Sequence, residues 1–561
     1  MNLIPVSKGI GIGNALIIEE FPEIKEEFTI SSIDEIKRLS NGINKTANDI
    51  KILYTAHANT ITKKEVDIFK AHEMMLKDPV FEDKIVDLIK TKKFNAPYAV
   101  KLVMNEYVSL FENMDNEYFR ERALDMKDIG KRLIAKLLDI GLTDFSLINN
   151  KTIIIAKELT PSDIIQLDKN YISGIITEEG GETSHVAIIA NTMSIPGIMG
   201  ATDITKKVKN NDLIIIDGST GELIIEPNQE IIDKFILKRN IQIEEEIQLK
   251  EMIGKETITL DGKIIELSAN IAGIGDIENV IENDAEGVGL FRSEFIYMDR
   301  NSFPTEEEQF NIYKIALQKN GNRPLIIRTM DIGGDKTIDY LNIEKEANPF
   351  LGYRAIRYCL DNEDVFKTQL RALLRASIYG NLKIMFPMIS SMKELRKVKL
   401  ILKSVKKELK EKKCDYSNNI EIGIMIEVPS AAIMADKLAT EVDFFSIGTN
   451  DLIQYLTATD RMNGKVKDLY TPYHPAVLRT INNIIKAGHD NGIWVGMCGA
   501  VASNEKLIPL LLGMGLDEFS MSPNMLLKSR KIINNINIKE MKLLVEKVLN
   551  QDDSKKIEEF L

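Results

Sequence analysis

The 561-residue sequence predicts a multidomain α/β chain: a C-terminal (β/α)8 barrel, and an N-terminal small α/β domain with an α-helical bundle inserted into it. Three observations predict this. The chain is too long for one hydrophobic core, and domains of ordinary size imply several units. Beyond residue 256, short apolar, β-branched runs alternate with helical stretches, the pattern of a parallel barrel. Before it, a long region of helical periodicity separates one glycine-punctuated strand from several later ones.

In chain order, Gly9 to Ile18 reads as a strand that belongs with later elements. Residues 32–57 place Ile33, Ile36, Leu39, Ile43, Ala47, Ile50 and Tyr54 three or four apart, one apolar stripe on a helix, and similar spacing continues to about residue 139. Four or more helices with inward apolar faces make a bundle. Strands resume at 152–156, 172–176, 213–217 and 223–226. Between them, Thr160-Pro161-Ser162-Asp163 starts a helix through a capping box and needs no catalytic role. Residues 228–252 lack Gly and Pro from Gln229 onward and favour one long exposed helix. The eight barrel runs are 264–268, 287–291, 325–329, 382–386, 422–426, 444–447, 493–498 and 517–521. The resulting division is 1–20 plus 146–227 for the α/β domain, 21–145 for the bundle, 228–255 for a linker helix and 256–561 for the barrel.

A net charge of −12 argues against general nucleic-acid binding. Three widely spaced cysteines, Cys359, Cys414 and Cys498, do not make a disulfide framework and fit a reducing cytoplasm. No run approaches the length of a membrane span and no export signal opens the chain, so no membrane insertion is expected.

Chemistry concentrates in two places. In Gly180-Gly181-Glu182-Thr183-Ser184-His185, followed by an apolar run, the glycines free the backbone, the hydroxyls cap a helix, and His185 falls in its first turn. The unpaired N–H groups there favour an anion, which suits a phosphohistidine, although a capped helix start with no chemistry reads the same way. The barrel runs end in Arg292, Arg328, Glu427, Asn450-Asp451 and Cys498, with Arg461 shortly after. Strand ends share one mouth; arginines take phosphate and carboxylate bidentately, and two carboxylates from different strands offer hard oxygens to Mg2+. The implied ligand is a small phosphorylated acid with a metal. In the bundle, His72 stands among Met and Leu as a core histidine or part of a docking face.

The segments 180–190, GVGLFRSEFIYMDR at 287–300, RTMDIGGDK at 328–336, NPFLGYRAIR at 348–357, GIMIEVP at 423–429, FFSIGTNDLIQ at 444–454 and GMCG at 496–499 resemble the enzyme I family of the bacterial sugar phosphotransferase system, the phosphoenolpyruvate-protein phosphotransferases. The resemblance covers nearly the whole chain. It implies that His185 attacks phosphoenolpyruvate through Nε2, releases pyruvate, and passes the phosphoryl group to the histidine-containing phosphocarrier protein. That carrier docks on the bundle, with His72 and Arg120 near the docking face. Mg2+ is held by Glu427 and Asp451, and a homodimer forms through the barrel. Arg292, Arg328 and Arg461 neutralise the phosphate, Asn450 binds it, Arg354 and Lys336 support the mouth, and Cys498 protonates the enolate.

Four positions depart from the family pattern. Glu182 and Asn191 stand where arginine is expected, about three charge units toward negative, each pair carrying about 1 kcal/mol at 4 Å in water. Ile164 replaces a threonine and Ala500 a glutamate. These changes leave open altered rate or partner choice, or a regulatory scaffold with reduced turnover. A dikinase or phosphoenolpyruvate synthase shares the histidine domain and barrel but needs a nucleotide-binding domain, and residues 1–145 contain no Gly-rich phosphate loop.

Overall fold

The computed structural model describes residues 3–561 apart from 19–20, 57–62, 113–116, 142, 144, 146–147, 165, 169, 182–183, 299, 335–337, 342–343 and 345. The backbone forms two compact units, Met1–Glu245 and Glu246–Leu561.

The first unit holds a seven-stranded sheet built from β1 (Ile4–Ser7), β2 (Ile10–Ile17), β3 (Thr152–Ala156), β4 (Ile172–Thr177), β5 (Gly197–Met199), β6 (Leu213–Asp217) and β7 (Glu222–Ile225). Their order across the sheet is β1-β5-β4-β3-β2-β6-β7. β2 lies between β3, parallel, and β6, antiparallel, so the expected first strand is central to a sheet completed more than 130 residues later. Its runs of Ile and Ala are apolar on both faces because cores form on each side: Ile154 and Ile175 with Val186 on one, Ile153, Ile155 and Ile176 with Ile214 on the other. β1 and β5 pair antiparallel and were not expected.

Between β2 and β3 run helices Ser32–Ala56, Lys63–Leu76, Pro79–Thr91, Ala96–Glu112 and Glu117–Leu138. Leu39, Ile43, Ala47 and Ile50 of the expected stripe are buried against Phe81, Ile85, Val103 and Leu133, whereas Ile33 is exposed. Helix Gln229–Lys250 buries only Phe235 among its side chains, as a polar, glycine-free segment should. The division between the two units falls within it.

The second unit is a closed barrel of eight parallel strands: β8 (Glu266–Ile271), β9 (Gly287–Arg292), β10 (Pro324–Arg328), β11 (Asn381–Phe386), β12 (Glu421–Ile426), β13 (Phe444–Gly448), β14 (Trp494–Cys498) and β15 (Glu518–Met521). All eight expected runs are present, with ends that coincide or shift by no more than three residues. The largest shift is at β8: Ile264 pairs with Ile258 in an isolated antiparallel bridge, forming a short hairpin before the barrel begins. The interior is filled by Leu290, Ile326, Met385, Met425 and Phe444, so the barrel is a packed core rather than a pore.

Candidate active site

Parallel strands bring their C-terminal ends to one face. Arg292 ends β9, Arg328 ends β10, Cys498 ends β14 and Glu427 follows β12. Asn450 and Asp451 open helix Thr449–Leu456 directly after β13. All six line one cavity of about 340 Å3, together with Arg354, Arg461, Asp331 and Tyr470. A larger cavity of about 540 Å3 in the same unit is lined by Phe350, Leu351, Tyr455 and Pro429. Its guanidinium, Arg357, already donates to the carbonyls of Leu351 and Gly352, so the smaller cavity carries the chemistry.

The cations are held by an alternating chain of charges. Arg328 Nη2 donates to Glu294 Oε1 at 2.6 Å and its Nη1 lies 2.9 Å from Asp331 Oδ2. Asp331 Oδ1 accepts from Arg354 Nη2 at 2.9 Å. Arg354 Nη1 and Arg461 Nη1 then approach Asp451 Oδ1 at 3.5 and 3.7 Å. Four guanidiniums (Arg292, Arg328, Arg354, Arg461) thus face three carboxylates (Asp331, Glu427, Asp451) around the cavity, a surface made for an anion. The sequence reading missed Glu294 and Asp331, although each lies within three residues of an arginine it had selected.

Glu427 is fully buried, and its Oε1 accepts the Met388 N–H at 2.7 Å. Burial first, then the neighbouring charges of Asp451 and Asp331, push its carboxyl above the usual carboxylate range, against the pull of Arg328 and Arg354. Asp451 Oδ1 is buried and accepts no hydrogen bond among the described residues. Two mutually repelling carboxylates, one with an oxygen that two guanidiniums approach but do not hydrogen-bond, fit a divalent cation. No cluster of three or more His, Cys, Asp or Glu ligands occurs among the described residues, so the chain itself offers these two.

Asn450 is fixed from both sides: its Oδ1 accepts the Ala500 N–H at 3.3 Å and its carbonyl accepts Tyr470 Oη–H at 3.1 Å. The first contact is made by backbone, so the glutamate-to-alanine departure at position 500 leaves it intact. Gly499 has φ 111°, and a Cβ there would meet Thr449 Oγ1 at 2.6 Å, which reserves the position after Cys498 for glycine. Cys498 is buried at the cavity wall with Sγ 3.5 Å from Ser446 Oγ. Burial pushes its thiol up to about 11, opposed by the Ser446 hydrogen bond and Arg328. It is a thiol, not a thiolate, at neutral pH.

In the first unit, Ser184 caps helix His185–Thr192 by accepting the Ala187 N–H at 3.2 Å, and His185 is the first helical residue. Gly180 has φ 109°, and a Cβ there would meet Met199 Sδ at 2.8 Å. The side chain of His185, together with Glu182, Thr183 and Lys336, lies outside the described residues. Thr160 and Asp163 form the expected reciprocal cap, Asp163 N–H donating to Thr160 Oγ1 at 3.3 Å and Thr160 N–H to Asp163 Oδ2 at 3.1 Å. Ile164 is buried with Val186 and Ala187, a core position where a hydroxyl is not needed for packing. Asn191 is exposed.

Of the two expected readings of His72, the structure shows the core histidine. Its imidazole is fully buried, with Nε2 2.9 Å from Asp125 Oδ1 and Nδ1 3.7 Å from Asp128 Oδ2. Arg122 and Arg132 back these carboxylates at 2.8 and 3.2 Å. A ring clamped between two buried carboxylates is a structural hub and presents no surface to a docked protein. The side chain of Arg120 lies outside the described residues.

Residues 246–538 match the profile of the PEP-utilising enzyme, PEP-binding domain; residues 4–122 match the N-terminal domain and 148–221 the mobile domain of the same enzymes. Barrel, site and profiles together define a phosphoenolpyruvate-utilising enzyme. The phosphoenolpyruvate-protein phosphotransferase of Priestia megaterium is 44% identical over 560 residues, spanning 100% of this chain and 98% of the relative. That of Bacillus subtilis is 43% identical over 559 residues, with 100% and 98% covered, and that of Staphylococcus carnosus 43% over 555, with 99% and 97% covered. A solution structure of Enzyme I (nEIt) is 31% identical over 43% of this chain and 98% of that one, with a TM-score of 0.38. The chain belongs to the phosphoenolpyruvate-protein phosphotransferase family and is an enzyme that moves the phosphoryl group of phosphoenolpyruvate to a protein. No helix among the described residues is long and apolar enough to cross a membrane.

Proposed function

We propose that His185 takes the phosphoryl group of phosphoenolpyruvate bound at the barrel mouth, releasing pyruvate, and delivers it to a histidine-containing phosphocarrier protein, the first step of sugar uptake by phosphotransfer in the cytoplasm. The observation that carries the reading is the single cavity gathering Arg292, Arg328, Arg461, Glu427, Asp451 and Cys498.

Arg292, Arg328 and Arg461 bind the phosphate and spread the charge of a loose transition state, and Asn450 orients it. Arg354 holds Asp451 and Asp331 in place. Glu427 and Asp451 would hold Mg2+, which would supply positive charge against the charge that develops on the substrate. His185 attacks through Nε2, and its place at a helix N-terminus stabilises the phosphate it then carries. Cys498 gives its proton to C3 of the enolate. Its raised pKa supports this role, because the thiol stays loaded until a strong carbon base is generated.

We assign the phosphohistidine domain to 1–20 plus 146–227, the docking bundle to 21–145, the linker to 228–255 and the barrel, with homodimerisation, to 256–561. The exposed Met74 and Val80 on adjacent bundle helices support docking there, with His72 shaping the helices from within.

Incubation with phosphoenolpyruvate labelled in its phosphate, with Mg2+, tests the reading. The chain should take up label and release one pyruvate per label, and His185→Ala should do neither. An unlabelled wild-type chain, or label retained by His185→Ala, overturns it.

A further inference from the structure

Beneath the mouth, the barrel interior holds a carboxyl that the reaction as described does not use. Glu518 opens β15 and is 1% exposed; the Ser268 hydroxyl and the Met497 backbone lie near its carboxyl, but neither oxygen has a well-formed hydrogen bond among the described residues. Leaving a buried polar group unpaired costs about 1–3 kcal/mol. Yet the barrel makes room for this one. A Cβ on Gly496 would lie 2.2 Å from Glu518 Oε2, and one on Gly289 2.1 Å from Oε1, so two strands carry glycine where the carboxyl sits.

Strand register places it under Cys498. Ser446, Gly496, Glu518 and Glu266 lie side by side across β13, β14, β15 and β8. Because Gly496 has no side chain, the Glu518 carboxyl lies over it, about one strand spacing (~4.8 Å) from the Ser446 position. Ser446 Oγ is in turn 3.5 Å from Cys498 Sγ. On the other side Glu266 is half-buried at the start of β8, its Oε1 accepting from Ser268 Oγ at 3.1 Å. Lys383 of β11, which is paired with Glu421 of β12 at 3.0 Å, and Glu286 also act on this file of carboxyls. Burial, then the charge of Glu266, raises the Glu518 carboxyl well above the ordinary carboxylate range, and burial also raises Glu266. Both shifts favour the protonated form of each carboxyl.

We propose that Glu518 reloads Cys498 through the Ser446 hydroxyl, with Glu266 linking the file to water at the N-terminal end of the barrel. The proposal rests on Cys498 being the acid that protonates the enolate. In each turnover the C3–H bond of pyruvate forms as the Cys498 S–H bond breaks, leaving a thiolate. The Glu518 side chain, not hydrogen-bonded to Ser446 at rest, turns toward it, and the Ser446 proton passes to sulfur as the Glu518 carboxyl proton passes to Ser446. Glu518 takes its proton back from Glu266, and Glu266 from water, so one solvent proton is consumed per pyruvate. During the step the cavity side of Cys498 is covered by product, and the interior side is the free approach.

The test uses the full chain in D2O with Mg2+, phosphoenolpyruvate and carbon-labelled pyruvate. Two rates are followed: movement of carbon label into phosphoenolpyruvate, and deuteration of the pyruvate methyl group above the uncatalysed background. Carbon exchange needs only the proton already on Cys498, whereas deuteration needs that proton to be replaced from solvent. In Glu518→Gln and Ser446→Ala the ratio of deuteration to carbon exchange should fall at least fivefold. General damage to the fold lowers both rates together and leaves the ratio unchanged, and an unchanged ratio in both variants overturns the proposal. A wild-type chain without carbon exchange, or a Cys498→Ala variant that deuterates at the wild-type ratio, overturns the underlying reading and the proposal with it.

Discussion

Met388 donates its backbone N–H to Glu427 Oε1 at 2.7 Å while itself held at φ 56°, a left-handed conformation that a long side chain rarely adopts. The contact keeps the carboxylate turned into the cavity, and strain of this kind, about 1–3 kcal/mol, persists where the surroundings enforce it. Glu427→Gln retains an oxygen for the Met388 N–H but loses the anionic ligand. It should melt near the wild type while pyruvate release falls at least 100-fold. Glu427→Ala also leaves a buried N–H unmet and should lose about 1–3 kcal/mol of stability as well. Thermal melts and pyruvate release on the two variants check this; a Gln variant with near-wild-type turnover removes Glu427 from the metal site.

Arg328 is gripped by two carboxylates, Glu294 and Asp331, and Asp331 also holds Arg354. A lysine retains the charge but cannot span both partners with a planar fork. Arg328→Lys should therefore cost about 100-fold or more in kcat/KM, roughly 3 kcal/mol of transition-state stabilisation. Asp331→Asn should raise KM for phosphoenolpyruvate, because it releases two guanidiniums together. Steady-state kinetics decide, and an Arg328→Lys variant within threefold of wild type shows that point charge alone suffices.

The barrel was legible because buried parallel strands are continuous apolar runs, and its site because each run ends in a polar residue that parallel geometry carries to the same face. Other features depend on tertiary neighbours. β1 is four residues with a proline, and its partner β5 is three residues long and some 190 positions away, so neither has a local signal. Glu294 matters through Arg328, and Asp331 through Arg328 and Arg354. His72 shows a helix face rich in Met, and nothing near it in sequence announces that Asp125 and Asp128 of another helix close on its ring. Ile164 and Ala500 look like losses beside the family pattern, yet one fills a core and the other acts through its backbone N–H.

The Cys498 thiol, pushed up to about 11 chiefly by burial, should resist alkylation near neutral pH. A raised pKa keeps the thiol form dominant below about 11, so the reactive thiolate fraction grows roughly tenfold per pH unit up to there. The rate of iodoacetamide modification at Cys498, followed by peptide mass spectrometry, should rise in that way from pH 7 to 10, and phosphoenolpyruvate should protect the residue. A plateau below pH 9 contradicts a burial-raised thiol.

In the bundle, Asp125 is held below the usual carboxylate range: burial opposes its charge, and the hydrogen bond and charge of His72, with Arg122, outweigh that penalty. A depressed folded-state pKa contributes stability that is fully present above the unfolded value, near 4, and is lost as pH falls through the folded value. The Asp125 contribution should therefore hold at pH 5 to 7 and begin to shrink below about pH 4. Asp125→Asn removes one partner of a buried pair and should cost about 3 kcal/mol at pH 7. Because the barrel belongs to a separate compact unit, the variant should lose phosphotransfer to a carrier before it loses phosphoenolpyruvate binding. Denaturation of wild type and variant at pH 7 and pH 3.5, with phosphoenolpyruvate binding at pH 7, measures both. A stability difference that does not shrink at the lower pH shows that the His72–Asp125 pair acts through packing and not through charge.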